Sequence, residues 1–165
     1  MKVLKKQNNS KMCMLCGMDN SFGVQAQFYE MENGMVCGLF TFKEEHQSYP
    51  GRVHGGMISA MLDELACRAF WILEPDKMAV TLDLQTKYRK PVPYNIELKG
   101  TGKIMKYTSR YFIAQCKILG EQGEVLAEGE VKYLILPNEK ITDASFEEEM
   151  CYFVEDGVKE IDLCV

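Results

Sequence analysis

Hydrophobic and polar residues alternate along most of the chain, with one long interruption. Six segments either alternate with a period of two or are rich in β-branched and aromatic residues, which is typical of strands. The Glu32-Asn33-Gly34 sequence between the first two segments favours a hairpin turn. The strands predicted from this pattern are 22–30, 35–42, 78–88, 94–105, 107–119 and 125–136.

The interruption, residues 55–72, is the longest apolar run of helical period. Met57, Met61 and Leu65 repeat at i, i+4 spacing and so share one face. Further apolar residues lie beside that face, so we expect a helix that is buried over most of its surface. Pro75 ends the pattern, because proline cannot continue a helix.

The order of elements, two strands, one long helix and four strands, predicts an α+β fold in which an antiparallel sheet packs one face on the helix. We expect residues 1–11 to be flexible, 12–137 to form the domain and 138–165 to be an acidic extension. A capping box that begins at Ser145 predicts a short helix in the extension. This helix either packs on the outside of the domain or belongs to a regulatory or partner-binding tail.

Composition narrows the class of protein. The chain has 165 residues, enough for one domain, and its formal net charge of -5 argues against binding to nucleic acid or an anionic membrane. No apolar run is long enough for a membrane span, and no secretory signal follows the basic N-terminus. Seven cysteines, an odd number, are expected to be reduced thiols, so we expect a cytoplasmic protein.

The start of the predicted helix carries the candidate chemistry. His54-Gly55-Gly56 opens it, and Asp63 and Glu64 lie about two turns inside. Glycines expose backbone N–H groups at the positive end of the helix dipole. Asp63 lies near the azimuth of Gly56 but ~10 Å further along the axis, so a ligand between two copies of the helix could contact both. Alternatively, the glycines only start the helix and Asp63 is a satisfied polar residue.

The segment from Pro50 to Gly56, followed by the apolar run to Asp63-Glu64, resembles the signature of hotdog-fold thioesterases of the phenylacetate-pathway type. Residues 81–92, which end in a Tyr-x-x-Pro sequence, resemble the next strand of that family. Cys13-x-x-Cys16-Gly, with Asn20 and Gly23, resembles a leader found in one branch. The resemblance covers roughly residues 12–136.

This resemblance implies hydrolysis of an acyl-CoA thioester by a dimer or a dimer of dimers, without a cofactor. The Gly56 N–H would stabilise the oxyanion, and Asp63 of the other subunit would act as base or nucleophile. His54 would orient the loop or contact the thioester carbonyl, and Thr81 would hold the attacking water. Glu64, ~100° around the helix, is the alternative acid. The expected substrate contacts are Gln47, Ser48, Arg52, Gly55, Met57, Glu64, Arg89 and Lys90.

The Cys13-x-x-Cys16 pair also resembles half of a zinc ribbon. No second cysteine or histidine pair lies nearby in the sequence, so we expect no metal and interpret the segment as a structural leader. A redox pair stays open, as does zinc with ligands from a second chain. For the whole protein, the rival functions are a hotdog dehydratase and a binding or sensing protein for acyl thioesters.

Overall fold

The computed structural model describes residues 1–163, which contain one long helix and a large antiparallel sheet. The helices are α1 (Gly55–Phe70) and α2 (Phe146–Glu149), with short 3-10 turns at Glu44–His46 and Asn138–Lys140. The strands are β1 (Val3–Lys6), β2 (Gln27–Met31), β3 (Val36–Thr41), β4 (Gln47–Tyr49), β5 (Arg52–Val53), β6 (Ala79–Tyr88), β7 (Glu97–Tyr107), β8 (Tyr111–Leu119) and β9 (Val125–Ile135).

Seven strands form one sheet in the order β1-β2-β3-β7-β8-β9-β6, and every pairing is antiparallel. β4 and β5 form a separate small hairpin directly before α1. α1 packs across one face of the large sheet, mainly against β7, β8 and β9. The predicted α+β arrangement, with an antiparallel sheet wrapped around a long helix, is therefore confirmed.

Two glycines allow the helix to approach the sheet closely. A Cβ atom on Gly102 would lie 2.1 Å from the backbone oxygen of Leu65, and one on Gly100 would lie 2.4 Å from the Leu65 side chain. Leu65 itself has no exposed surface. These glycines interrupt the strand pattern in the sequence because β7 must present bare backbone to α1.

The N-terminal segment differs from the sequence-based expectation. Residues 1–11, which we expected to be flexible, contain β1, and the predicted strand 22–30 begins only at Gln27. β1 is held on one side by β2 and on the other by the C-terminal tail, where the Val3 N–H donates to the Lys159 carbonyl at 2.8 Å. A strand of four residues, Val3-Leu4-Lys5-Lys6, does not alternate apolar and polar positions, so only these partners define it.

The acidic extension lies against the domain. Ser145 caps α2 as predicted, and the Phe146 ring contacts the Trp71 ring edge to face at 5.3 Å. Further along, Tyr152 pairs with Asn9, and the Asp156 carboxylate accepts hydrogen bonds from Lys6 and Tyr29. No helix within residues 1–163 is long and apolar enough to cross a bilayer.

Candidate functional site

A buried histidine positions the loop that precedes α1. His46 is 5% exposed, and its Nδ1 accepts the Lys43 N–H at 3.0 Å while its Nε2 lies 2.7 Å from the Phe22 carbonyl oxygen. Since Nδ1 accepts, the neutral ring carries its proton on Nε2 and donates it to Phe22. The His46 carbonyl in turn accepts the His54 N–H at 2.8 Å. His46 therefore fixes the backbone at the point where α1 begins.

His54 is the N-cap of α1. Its Nδ1 accepts the Gly56 N–H at 2.9 Å, and its carbonyl accepts the N–H groups of Met57 and Ile58. Consequently, the backbone donor that the family resemblance implies for the oxyanion is bonded to His54 in this structure. The His54 side chain is exposed, and its Nε2–H remains available as a donor.

Asp63 is held by two hydroxyl groups from the sheet. The Thr81 hydroxyl lies 2.9 Å from Oδ1 and 3.2 Å from Oδ2, and the Tyr133 hydroxyl lies 2.8 Å from Oδ1 and 2.5 Å from the Asp63 carbonyl. Thr81 and Tyr133 are cross-strand partners on β6 and β9. These two hydroxyl groups therefore fix the orientation of the Asp63 carboxylate.

Tyr133 is a site residue that sequence reasoning missed. It is 1% exposed, and its ring stacks on Phe112, which stacks on Phe70, with both centroid distances at 4.5 Å. Burial raises the pKa of the Tyr133 hydroxyl well above its ordinary value, so the group is a fixed donor at neutral pH. Alternating apolar residues in β9 indicate that the Tyr133 side chain points inward, but nothing in the sequence connects Tyr133 to Asp63.

A second set of hydroxyl groups follows α1 toward its start. Ser59 Oγ lies 2.8 Å from the Tyr88 hydroxyl and 3.2 Å from Thr86 Oγ1, and Tyr88 donates to the Gly55 carbonyl at 3.0 Å. Gly55, Ser59 and Asp63 are spaced by four residues and so lie on one face of α1. β6 therefore covers the candidate acid and the helix start with one row of polar contacts.

Glu64 points to a different neighbourhood. Its Oε1 accepts a hydrogen bond from Arg68 Nε at 2.8 Å, and Arg68 has no exposed side-chain surface. The guanidinium group lies over the rings of Phe28 and Trp71 and donates to the Asn8 carbonyl. Burial raises the pKa of Glu64 to about 7 despite the opposing effect of Arg68. The two adjacent acids therefore have separate partners, as their difference in azimuth predicts.

Four of the eight predicted substrate contacts lie around the helix start. A cavity of about 460 Å³ is lined by Arg52, Arg89, Lys90 and Gly55, together with Tyr49 and Tyr88. Arg89 forms an ion pair with Glu128 at 2.6 Å. Arg52 and Lys90 are therefore the cations of the cavity wall that are more available to bind an anion.

The remaining predicted contacts lie apart from this cavity. Gln47 and Ser48 lie on the exposed strand β4, beside β5. Met57 is partly buried against the core, whereas Met61, its neighbour on the helix face, has no exposed surface. Met61 is therefore enclosed in the core of its own chain, and Met57 is the one of the two that a ligand can reach.

One cluster within residues 1–163 has donor atoms for a metal. The sulfur atoms of Cys13 and Cys16 and a carboxylate oxygen of Glu64 all lie within 4.8 Å of one another. A closed tetrahedral zinc site needs a fourth ligand, and Glu64 is already paired with the Arg68 cation. The donor set therefore fits a zinc site poorly.

Comparison with known proteins shows what this chain is similar to. Residues 50–127 match the family described as the Thioesterase superfamily. A protein of Caenorhabditis elegans named as an esterase is 24% identical over 127 residues, covering 74% of this chain and 75% of its own. Acyl-coenzyme A thioesterase 13 of Mus musculus is 23% identical over 96 residues, covering 58% of this chain and 68% of its own.

Solved structures show the same fold. A thioesterase superfamily protein superposes with a TM-score of 0.66 at 26% identity, and the match covers 74% of this chain and 63% of that protein. A phenylacetic acid degradation-related protein from Ralstonia eutropha has a TM-score of 0.61 at 18% identity, covering 67% and 85%. The fold is therefore the hotdog fold expected from the sequence.

Proposed function

We propose that this protein hydrolyses an acyl-CoA thioester, with Asp63 as the general base or nucleophile. The main support is the environment of Asp63, a half-buried carboxylate that accepts hydrogen bonds from Thr81 and Tyr133. These donors fix its orientation, which both roles require. Thr81 is exposed and can also bind the attacking water. Glu64 is a poorer candidate for the catalytic acid residue because its carboxylate already forms an ion pair with Arg68.

The proposed site needs two chains. Gly56 and Asp63 are separated by ~10 Å along α1, too far for one carbonyl group to contact both. β6, which carries Thr81, is an edge strand of the sheet, and its Leu82 side chain is 54% exposed. Pairing of β6 with β6 of a second chain would bury this edge and bring the helix start of one subunit toward Asp63 of the other.

The oxyanion donor is released by exchange of a hydrogen bond. The Gly56 N–H is bonded to His54 Nδ1 before substrate arrives. The thioester carbonyl oxygen would replace Nδ1 as acceptor, and the exposed His54 ring would turn to offer its Nε2–H. A backbone donor of this kind is worth ~10²–10³ in rate.

The nucleotide end of the substrate would lie in the cavity beside the helix start. Arg52 and Lys90 line it and can pair with phosphate groups, while Tyr49, 76% exposed, offers an aromatic surface. The acyl group would then extend along α1 toward the second chain, where Met57 contributes apolar surface. The length and shape of the acyl group depend on side chains from both subunits.

A thiol-release assay over a panel of acyl-CoA chain lengths tests the proposal. Wild-type protein should release CoA, and Asp63→Asn should reduce turnover by ~10²–10⁴-fold, the range expected for loss of a general base. Asp143→Asn, the same change on the exposed C-terminal segment, is the matched control and should leave turnover unchanged. Binding of acyl-CoA without any release would overturn hydrolysis in favour of a binding protein. Loss of turnover in Glu64→Gln but not in Asp63→Asn would overturn the choice of acid.

A further inference from the structure

The leader segment brings two thiols close together. The Gly17 N–H donates to the Cys13 carbonyl at 2.8 Å, which closes a single helical turn over 13–17. Cys13 and Cys16, three residues apart, therefore lie on the same side of this turn. Their sulfur atoms lie within 4.8 Å of each other, and both cysteines are free thiols.

The two thiols have different surroundings. Cys13 is partly exposed, and its sulfur accepts the Leu15 N–H at 3.3 Å. Cys16 is 2% exposed, and its sulfur lies 3.2 Å from Ser10 Oγ. A hydrogen bond from the Cys16 thiol is the main reason that the pKa of Cys13 falls to about 7, and the same bond with burial raises the pKa of Cys16. One thiol is therefore reachable and partly ionised, whereas the other is enclosed and protonated.

A carboxylate on α1 faces this pair. Glu64 Oε2 lies 4.0 Å from the Cys13 sulfur. Its pKa of about 7, which results mainly from burial, suits a group that accepts and returns a proton near neutral pH. Arg68 is the charged group on the far side of Glu64 and balances its negative charge.

We propose that Cys13 and Cys16 form a redox-active dithiol that exchanges with low-molecular-weight disulfides, with Cys13 as the attacking thiol and Cys16 as the resolving thiol. The supporting observation is the arrangement itself: two sulfur atoms within 4.8 Å of each other on one turn, one reachable from solvent, with a carboxylate beside them. This site is separate from the proposed thioester chemistry, since Asp63 contacts neither cysteine.

The exchange proceeds in two balanced steps. The Cys13 thiolate attacks one sulfur of the disulfide, the S–S bond of the reagent breaks, and its first thiolate leaves. Cys16 then gives its proton to Glu64 and attacks the Cys13 sulfur, so that the second thiolate leaves. Two thiols of the protein are oxidised, the reagent is reduced to two thiols, and the protons from Cys13 and Cys16 reach them through solvent and Glu64.

Equilibration of the reduced full-length protein with glutathione and glutathione disulfide tests this proposal. A Cys151→Ser, Cys164→Ser background removes the exposed Cys151 and the cysteine at position 164, which lies outside the described residues. After acid quenching and alkylation, intact mass and peptide mapping should show loss of two hydrogens and a bond between Cys13 and Cys16.

Single substitutions in the same background separate the two roles. Cys16→Ser should accumulate a glutathione adduct on Cys13, whereas Cys13→Ser should leave Cys16 unmodified; circular dichroism checks that both variants are folded. Absence of the internal disulfide across the whole range of glutathione ratios would overturn the proposal. Stoichiometric zinc in the purified protein, released when Cys13 is alkylated, would also overturn it and would assign a metal site instead.

Discussion

Replacement of Arg68 should destabilise the fold by an amount that can be worked out from its surroundings. Its side chain has no exposed surface, and it pairs with Glu64, whose side chain is 18% exposed. Arg68→Met keeps an unbranched apolar stem between the Phe28 and Trp71 rings but removes the counter-ion of Glu64. Removal of one partner from a buried ion pair typically costs ~3–5 kcal/mol. Because Glu64 retains some solvent contact, we expect ~3 kcal/mol, or a fall in Tm of ~10 °C.

The loss of stability caused by Arg68→Met should depend on pH. The pKa of Glu64 in the wild type is raised from 4.5 to about 7 by burial, and Arg68 opposes this shift. Without Arg68 the folded-state pKa rises further above the unfolded value. A carboxyl with a raised pKa stabilises the fold fully below its unfolded pKa, and this stabilisation is lost as the pH rises through the folded pKa. The variant should therefore be closer to the wild type at pH 5 than at pH 8.5.

Urea denaturation followed by far-UV circular dichroism at both pH values measures this difference. The double variant Arg68→Met, Glu64→Gln is the control, because it removes both charges and should recover part of the lost stability at pH 8.5. A cost that is equal at the two pH values would refute the reasoning. The reasoning would also fail if the double variant were no more stable than the single one.

Three other changes test other parts of the structure. Tyr133→Phe keeps the stacked ring but removes a donor to Asp63, so kcat in the thiol-release assay should fall ~10-fold; an unchanged kcat would contradict its positioning role. Alkylation of Cys13 by iodoacetamide should increase with pH around a midpoint near 7, whereas a midpoint well above 8 would show an ordinary thiol. Gly102→Ala places a Cβ against the Leu65 carbonyl and should destabilise the fold by at least ~1–3 kcal/mol, measured by thermal denaturation; a stability equal to the wild type would refute the tight contact.

The elements with strong periodicity could be predicted from the sequence. α1, β8 and β9 carry enough alternating or helical apolar positions to define their own buried faces, and they lie within a few residues of the predicted bounds. β1 could not be predicted, because a strand of four residues without alternation is defined only by distant backbone partners at both of its sides.

The candidate site was predictable only where it depends on a local sequence pattern. The spacing of His54, Gly56, Asp63 and Glu64 is a local property of one helix, so their azimuths follow from the sequence. The donors Tyr133 and Tyr88 are brought to α1 by the folding of the sheet, and no local pattern indicates that contact. The bond between Gly56 and His54 was also not foreseen, since it depends on the rotamer of the cap.

The contact between the C-terminal tail and β1 has a consequence for how large an assembly can grow. Within residues 1–163, backbone pairing of residues 159–161 with 1–3 covers one outer edge of the sheet, whereas β6 forms the other. An uncovered edge can recruit another strand, and two such edges per chain would permit open-ended fibres. With one edge covered, the proposed association through β6 would stop at two chains, and the acidic tail would then protect the protein against polymerisation.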